Sequence, residues 1–267
     1  MRTAEKMRKM SKKLKVSVLV LLALCLMMPS CKKDDQACGC KKDTSAKTCE
    51  KDTKKCDAAP KGQTKNGGDQ MVALPFELPK PMFEGTPQNI KVANLEKPRS
   101  EPRPPMLAPK GATNLAAGKP VTGSDDEPII GDMEYITDGD KAASDGSYVE
   151  LAPGKQYITI DIGEECNIYA ILFWHFHKQA RVYFDVVVQV ADDPDFIENV
   201  HTLFNNDIDN SAGLGVGKDM HYVETNEGKL IDAKGVKARY VRLYSNGSNQ
   251  NELNHYIEVE VWGKPVK

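Results

Sequence analysis

The sequence predicts an all-β fold of sandwich type over residues 113–267, and three observations carry that expectation. Alternating or β-branched runs recur at short intervals, turn residues (Gly, Asn, Asp) separate them, and no segment sustains a helical apolar period. A single helical turn over 194–200 is the one exception expected. Composition sets the limits of this domain. Ten of the 16 prolines fall between Pro60 and Pro109, and residues 1–60 are net +8 whereas the remainder is net −10. A net acidic domain repels a phosphate backbone, so nucleic acid is excluded as a partner and divalent cations are favoured.

Taken in order, residues 1–30 join a basic stretch (Arg2 to Lys15) to a short apolar core, Val16 to Met28. Thirteen residues are too few to span a bilayer, so the segment reads as a cleaved export signal. Pro29, Ser30 and Cys31 follow, and a small residue before cysteine resembles the lipobox of bacterial lipoproteins. That resemblance implies lipidation of Cys31, a membrane partner through the lipid anchor, and a place on the bacterial cell envelope; an ordinary signal peptide cut nearby is the alternative. Residues 31–65 repeat a lysine-rich theme (CKKDD, CKKDT, CEKDT) almost without apolar side chains, which predicts a disordered spacer. Cys38, Cys40, Cys49 and Cys56 form an even set, consistent with two disulfides of unassigned pairing or, alternatively, a four-thiolate metal knot. Residues 66–112 are too rich in proline for helix or central strand and read as a semi-rigid linker, part of which (75–95) packs along the domain as a strap.

From Thr113 on, strands are expected at 157–162, 168–176, 182–191, 239–245 and 255–262, with weaker ones at 200–204 and 222–225. Ile158, Ile160 and Ile162 share one face of the first. The runs 168–176 and 182–191 suit central strands buried on both sides.

These fragments form a series: NLAAGKPVTGS at Asn114, ITDGDKAASDGSYVEL, YITIDIG, NIYAILFW, VYFDVVVQVADDPDF, ARYVRLYSNG and IEVEVWG. The series resembles the discoidin family, or coagulation factor 5/8 type C domain, whose bacterial members include family 32 carbohydrate-binding modules. Resemblance implies an eight-stranded antiparallel jelly-roll sandwich, galactose-binding-like in topology, with ligand loops at one end. It implies structural calcium held by Asp138, Asp140, Ser144 and Glu258. An acidic loop that mixes carboxylates with free carbonyls suits that ion independently, and an Asx turn at Asp138 is the alternative.

Two further groups are candidates for binding. Trp174, His175, His177 and Arg181 follow a core strand. His175 and His177 lie on one side if that strand persists, either as a metal pair or, with Arg181 and a stacking aromatic, as ligands for a sugar; a buried structural role is the third reading. Asn249, Asn251 and Asn254 sit in a polar loop with His255, where ordinary turn chemistry is the alternative. Function is therefore expected to be non-catalytic recognition of carbohydrate or another envelope polymer. A structural or protein-interaction module is the alternative, and a metal-dependent hydrolase a distant one. Other patterns fail: the Gly213 to Lys218 stretch lacks the Ser or Thr of a phosphate loop, and Cys166 reads as a free buried thiol.

Overall fold

Alternation along one long strand, β6 (Gln156–Trp174), organises the molecule. The computed structural model describes residues 70–83 and 89–266. The export signal, Cys31 and the other cysteines of the spacer lie outside the described residues. Among the described residues there are eleven strands, every strand pair antiparallel, and a single 3-10 turn at Met133–Thr137. They belong to one unit, Thr64–Lys267.

Strand β6 pairs on one side with β11 (Glu258–Pro265) and β4 (Val121–Gly123), and on the other with β9 (Lys229–Ser245). β3 (Thr113–Asn114), β7 (Val187–Ala191) and β8 (His201–Asn205) complete a seven-stranded sheet. Facing it, β5 (Val149–Leu151) pairs with β10 (Asn254–Tyr256) as a second layer. Between the layers lie Ile158, Ile160, Ile171, Phe173, Val188, Val190, Val241, Leu243, Val259 and Val261 of the large sheet, with Val149, Leu151, Tyr256 and Ile136 opposite. Period-two burial of this kind is what drives a sandwich together.

The expected strands 157–162 and 168–176 are one continuous strand, bulged between Asp161 and Cys166 and again between Ile168 and Ala170. It stops at Trp174, so His175 and His177 are not on a strand. The expected strand 255–262 is instead two, because the chain leaves one layer at Tyr256 and enters the other at Glu258. Residues 222–225 form no strand, and 194–200 form turns without a helix. Cys166 is free and buried, and burial raises its thiol pKa.

Packing begins well before Thr113. β1 (Met71–Ala73) pairs with β2 (Leu107–Pro109), so the proline-rich segment leaves and returns at one place. Leu74, Phe76, Met106 and Ala108 cover Ala170 and Trp262, while Phe76 also meets the cluster of Leu172 and Trp174. Phe76 stands edge-on to Trp262 with centroids 5.6 Å apart. This cover explains why β6 is apolar on both faces: Ile171 and Phe173 face the core, whereas Ala170, Leu172 and Trp174 face the strap.

Candidate functional site

Cross-strand register builds the candidate site. In the β5–β10 ladder Glu150 lies opposite His255, with their neighbours Val149, Leu151 and Tyr256 turned into the core. His255 Nε2 lies 2.9 Å from Glu150 Oε2. Burial, then the Arg181 and His175 charges, lower the His255 pKa to about 3, so the ring is neutral and its Nε2–H donates to the carboxylate. Burial raises Glu150 above the usual carboxylate range, with Arg181 acting in the other direction.

Beside this pair, Tyr148 meets Phe176 edge-on at 5.1 Å, and the Arg181 guanidinium stacks over Phe176 at 4.6 Å. Tyr148, Glu150 and Arg181 are half-buried, and Ile129 and Ile130 flank them on the surface. Backbone bonds between Ile130 and Glu150 tie this rim to β5. Gly131 permits the approach. Its φ is +78°, and a Cβ there would sit 2.3 Å from the Tyr148 carbonyl oxygen. The result is a patch with one cation, one anion and the half-buried Tyr148 ring, floored by buried Phe176, a set able to bond hydroxyls and stack on an apolar ring face.

The depressed His255 pKa has a measurable consequence. The unfolded imidazole takes up a proton near pH 6.5 and the folded one does not. Its contribution is intact above that value and lost as pH falls from 6.5 toward 3. Wild type should therefore lose about 1–2 kcal/mol more than His255→Gln between pH 7.5 and 4.5, measured by denaturant unfolding at both values. Equal losses would remove His255 as the cause.

The expected ligand residues separate into two groups. Arg181 is at the patch, but Trp174, His175, His177 and Asn254 are enclosed and are not surface ligands. Trp174 lies beneath the strap and donates its indole N–H to the Asn226 carbonyl at 2.9 Å. His175 is paired with buried Glu224 at 2.7 Å and stacks on Tyr183 at 4.3 Å, bracing the floor beneath His255. His177 donates from Nε2 to the Lys141 carbonyl. These separate partners break up the expected metal pair. Asn254 bonds Ser245, Gly247, Ala152 and Gly154, and Asn249 caps the Val182 N–H. Asn251 is exposed, and its Oδ1 accepts the Leu253 N–H within its own turn. Tyr148 and Glu150 were not among the expected ligand residues, whereas Phe176 was expected as the alternative to Trp174 for stacking on a sugar face. The signal for Glu150 was available in the single charge between Val149 and Leu151, but its partner is 105 residues away.

The acidic loop and Glu258 do meet. Gly139 N–H donates to Glu258 Oε2 at 3.0 Å, and Glu258 Oε1 is buried without a partner. Burial, then Glu260 and Asp138, push its pKa up to about 8. Asp138 accepts the Asp140 N–H; Asp140 accepts from Ala142 N and from Ser147 Oγ, which also contacts Ser144 Oγ. Among the described residues, the one acidic trio with oxygens within 4.8 Å of one another is elsewhere, at Asp185, Asp207 and Asp209. Ser211, Asn246 and backbone N–H groups already occupy those oxygens.

No protein-family model matches the chain, and no curated protein does. Solved structures are similar to it. One is CBM32 of AlyQ in complex with 4,5-unsaturated mannuronic acid, at 19% identity over 53% of this chain and 92% of that one, TM-score 0.38. A second is a Streptococcus pneumoniae fucose binding module, at 19% identity over 57% and 96%, TM-score 0.41. A third is a family 89 glycoside hydrolase from Clostridium perfringens, at 19% identity over 57% of this chain with TM-score 0.42; the match spans only 15% of that enzyme's length. The ligands in those names belong to those proteins.

Proposed function

We propose that the domain is a non-catalytic saccharide-recognition module acting at the Tyr148, Glu150, Phe176 and Arg181 patch. The observation that carries this reading is the half-buried Arg181 whose guanidinium lies over Phe176 beside Tyr148 and Glu150. Hydroxyl donors and acceptors find partners there, and their geometry is fixed before a ligand arrives, which lowers the ordering cost of binding.

Calcium is proposed as a stiffening ion for the neighbouring loop. The unpartnered Glu258 Oε1 beside the Asp138 loop fits a cation, and Asp138, Asp140, Ser144 and Glu258 would hold it with loop carbonyls. Its charge would compensate a carboxylate that otherwise has one bond for two oxygens. Export and lipid anchoring through Cys31 place the module on a cell envelope, supported by the basic and apolar leader.

A glycan array probed with the full chain tests the main reading. Wild type should give reproducible hits, and Arg181→Ala and Tyr148→Ala should each weaken them by at least about tenfold, the loss expected when a central contact of 1.4 kcal/mol or more is removed. No hit for wild type, or equal binding by both variants, would sink it.

A further inference from the structure

Arginine pairing in the described residues is uneven. Arg99 and Arg103 share Glu227, and Arg239 holds Asp161 through two bonds. Arg242 has no carboxylate, yet Thr159, Tyr244 and the Pro194 carbonyl take its nitrogens. Arg181 differs from all of these. No carboxylate lies within ion-pairing distance, and its Nε is buried without a hydrogen-bond acceptor.

Arg181 Nη1 lies 3.4 Å from His255 Nε2, and Tyr183 lies beside it. Because that Nε2 carries the hydrogen given to Glu150, the contact is between two donors and forms no bond. Glu150 is thereby held by His255 rather than by Arg181. The Phe176 ring meanwhile lies under the guanidinium, its centroid 4.6 Å from Cζ. A partly desolvated guanidinium that rests over a ring and forms no ion pair with a carboxylate is poised for a planar anion, since two parallel N–H bonds fit a carboxylate.

Resting on the saccharide reading above, we infer that the ligand is an acidic saccharide, a uronate-bearing chain whose carboxylate docks on Arg181. The net −10 of residues 61–267 does not oppose this at contact range. Charges farther than about 8 Å are screened at physiological ionic strength, and the local cation decides.

The test uses the full chain and three probes: oligogalacturonate, the same oligomers with carboxyl groups reduced to alcohols, and polyglutamate as a polyanion without sugar. Expected is at least tenfold tighter binding of oligogalacturonate than of its reduced form. Arg181→Gln, which keeps a polar hydrogen-bonding end but removes the charge, should bring the two to equal affinity with an unchanged melting temperature. If Arg181→Gln melts early, Arg181→Lys serves instead, and a loss of at least threefold for oligogalacturonate alone is required. Equal wild-type binding of the oxidised and reduced oligomers would overturn the anion assignment while leaving saccharide recognition standing. Failure to bind either oligomer would count against both readings, and equal binding of polyglutamate would show charge attraction without sugar recognition.

Discussion

A chain that begins at Thr113 should fail to give a stable fold, although every strand of the sandwich except β1 and β2 is retained. The reason lies on the outer face of β6. Ala170, Leu172 and Trp174, with Trp262 of β11, form an apolar strip that the strap covers through Leu74, Phe76, Met106 and Ala108, with Ala143, Ile257 and Leu230 packed beside them. Burial of a large aliphatic or aromatic side chain contributes about 1.5–3 kcal/mol, so losing three or four such contacts removes about 5–12 kcal/mol. Whole domains are typically stable by only about 5–15 kcal/mol. Polar links would vanish too: Lys141 to the Glu77 carbonyl, Asn226 to the Pro79 carbonyl, Lys229 to Glu96, and Arg103 to the Glu227 and Gly228 carbonyls. The measurement is thermal unfolding of chains beginning at Gln70 and at Thr113, with near-ultraviolet dichroism reporting the Trp174 and Trp262 environments. Expected is a cooperative transition for the longer chain and a broad or absent one for the shorter. Melting temperatures within a few degrees of each other would show that the strap is a passenger.

That same strip shows where sequence reading succeeds and where it stops. Alternation is local, so Ile158, Ile160 and Ile162 on one face, and the doubly buried character of 168–176, were legible from spacing alone. What covers the second face was not, because Leu74 and Phe76 sit in a proline-rich stretch whose composition argues for a linker. The continuous β6 and the divided β10 and β11 have the same origin. A bulge at Asp161 to Cys166 keeps one strand whole across Gly163, and a change of layer at Ile257 splits an unbroken apolar pattern; both are decided by partners far away in sequence. In the candidate site, Arg181 was legible as a cation after a core strand. His175 and His177 were misleading, because their two-residue spacing assumed a strand that ends at Trp174. Polar residues closing a core strand are as easily satisfied inside, as Glu224 does for His175.

Glu258 carries the second large effect. In chelator-treated protein, calcium should raise the melting temperature by about 5–10 °C once its concentration exceeds the dissociation constant a hundredfold. That excess stabilises the folded form by about 2.7 kcal/mol, and 1 kcal/mol corresponds to about 2–4 °C for a unit of roughly 200 residues. The site argument is one of unequal satisfaction. Glu258 Oε2 has the Gly139 N–H, whereas Oε1 is buried with nothing, and Asp138 and Glu260 add negative charge nearby. Lys141 is paired with Glu260 at 2.6 Å and only partly offsets the charge on Glu258. Glu258→Gln keeps the acceptor for Gly139 and removes the charge. This variant should melt at or above the calcium-free wild type and gain nothing from calcium, because an unpaired buried carboxylate costs more than a buried amide. Asp140→Asn should weaken the response without raising the calcium-free melting temperature, since Asp140 is exposed and already bonded to Ala142 and Ser147. A calcium response that survives Glu258→Gln would move the ion away from this loop. No response in wild type would leave Glu258 as a buried acid stabilised by its proton, with the Asp138 loop closed by its own turn bonds.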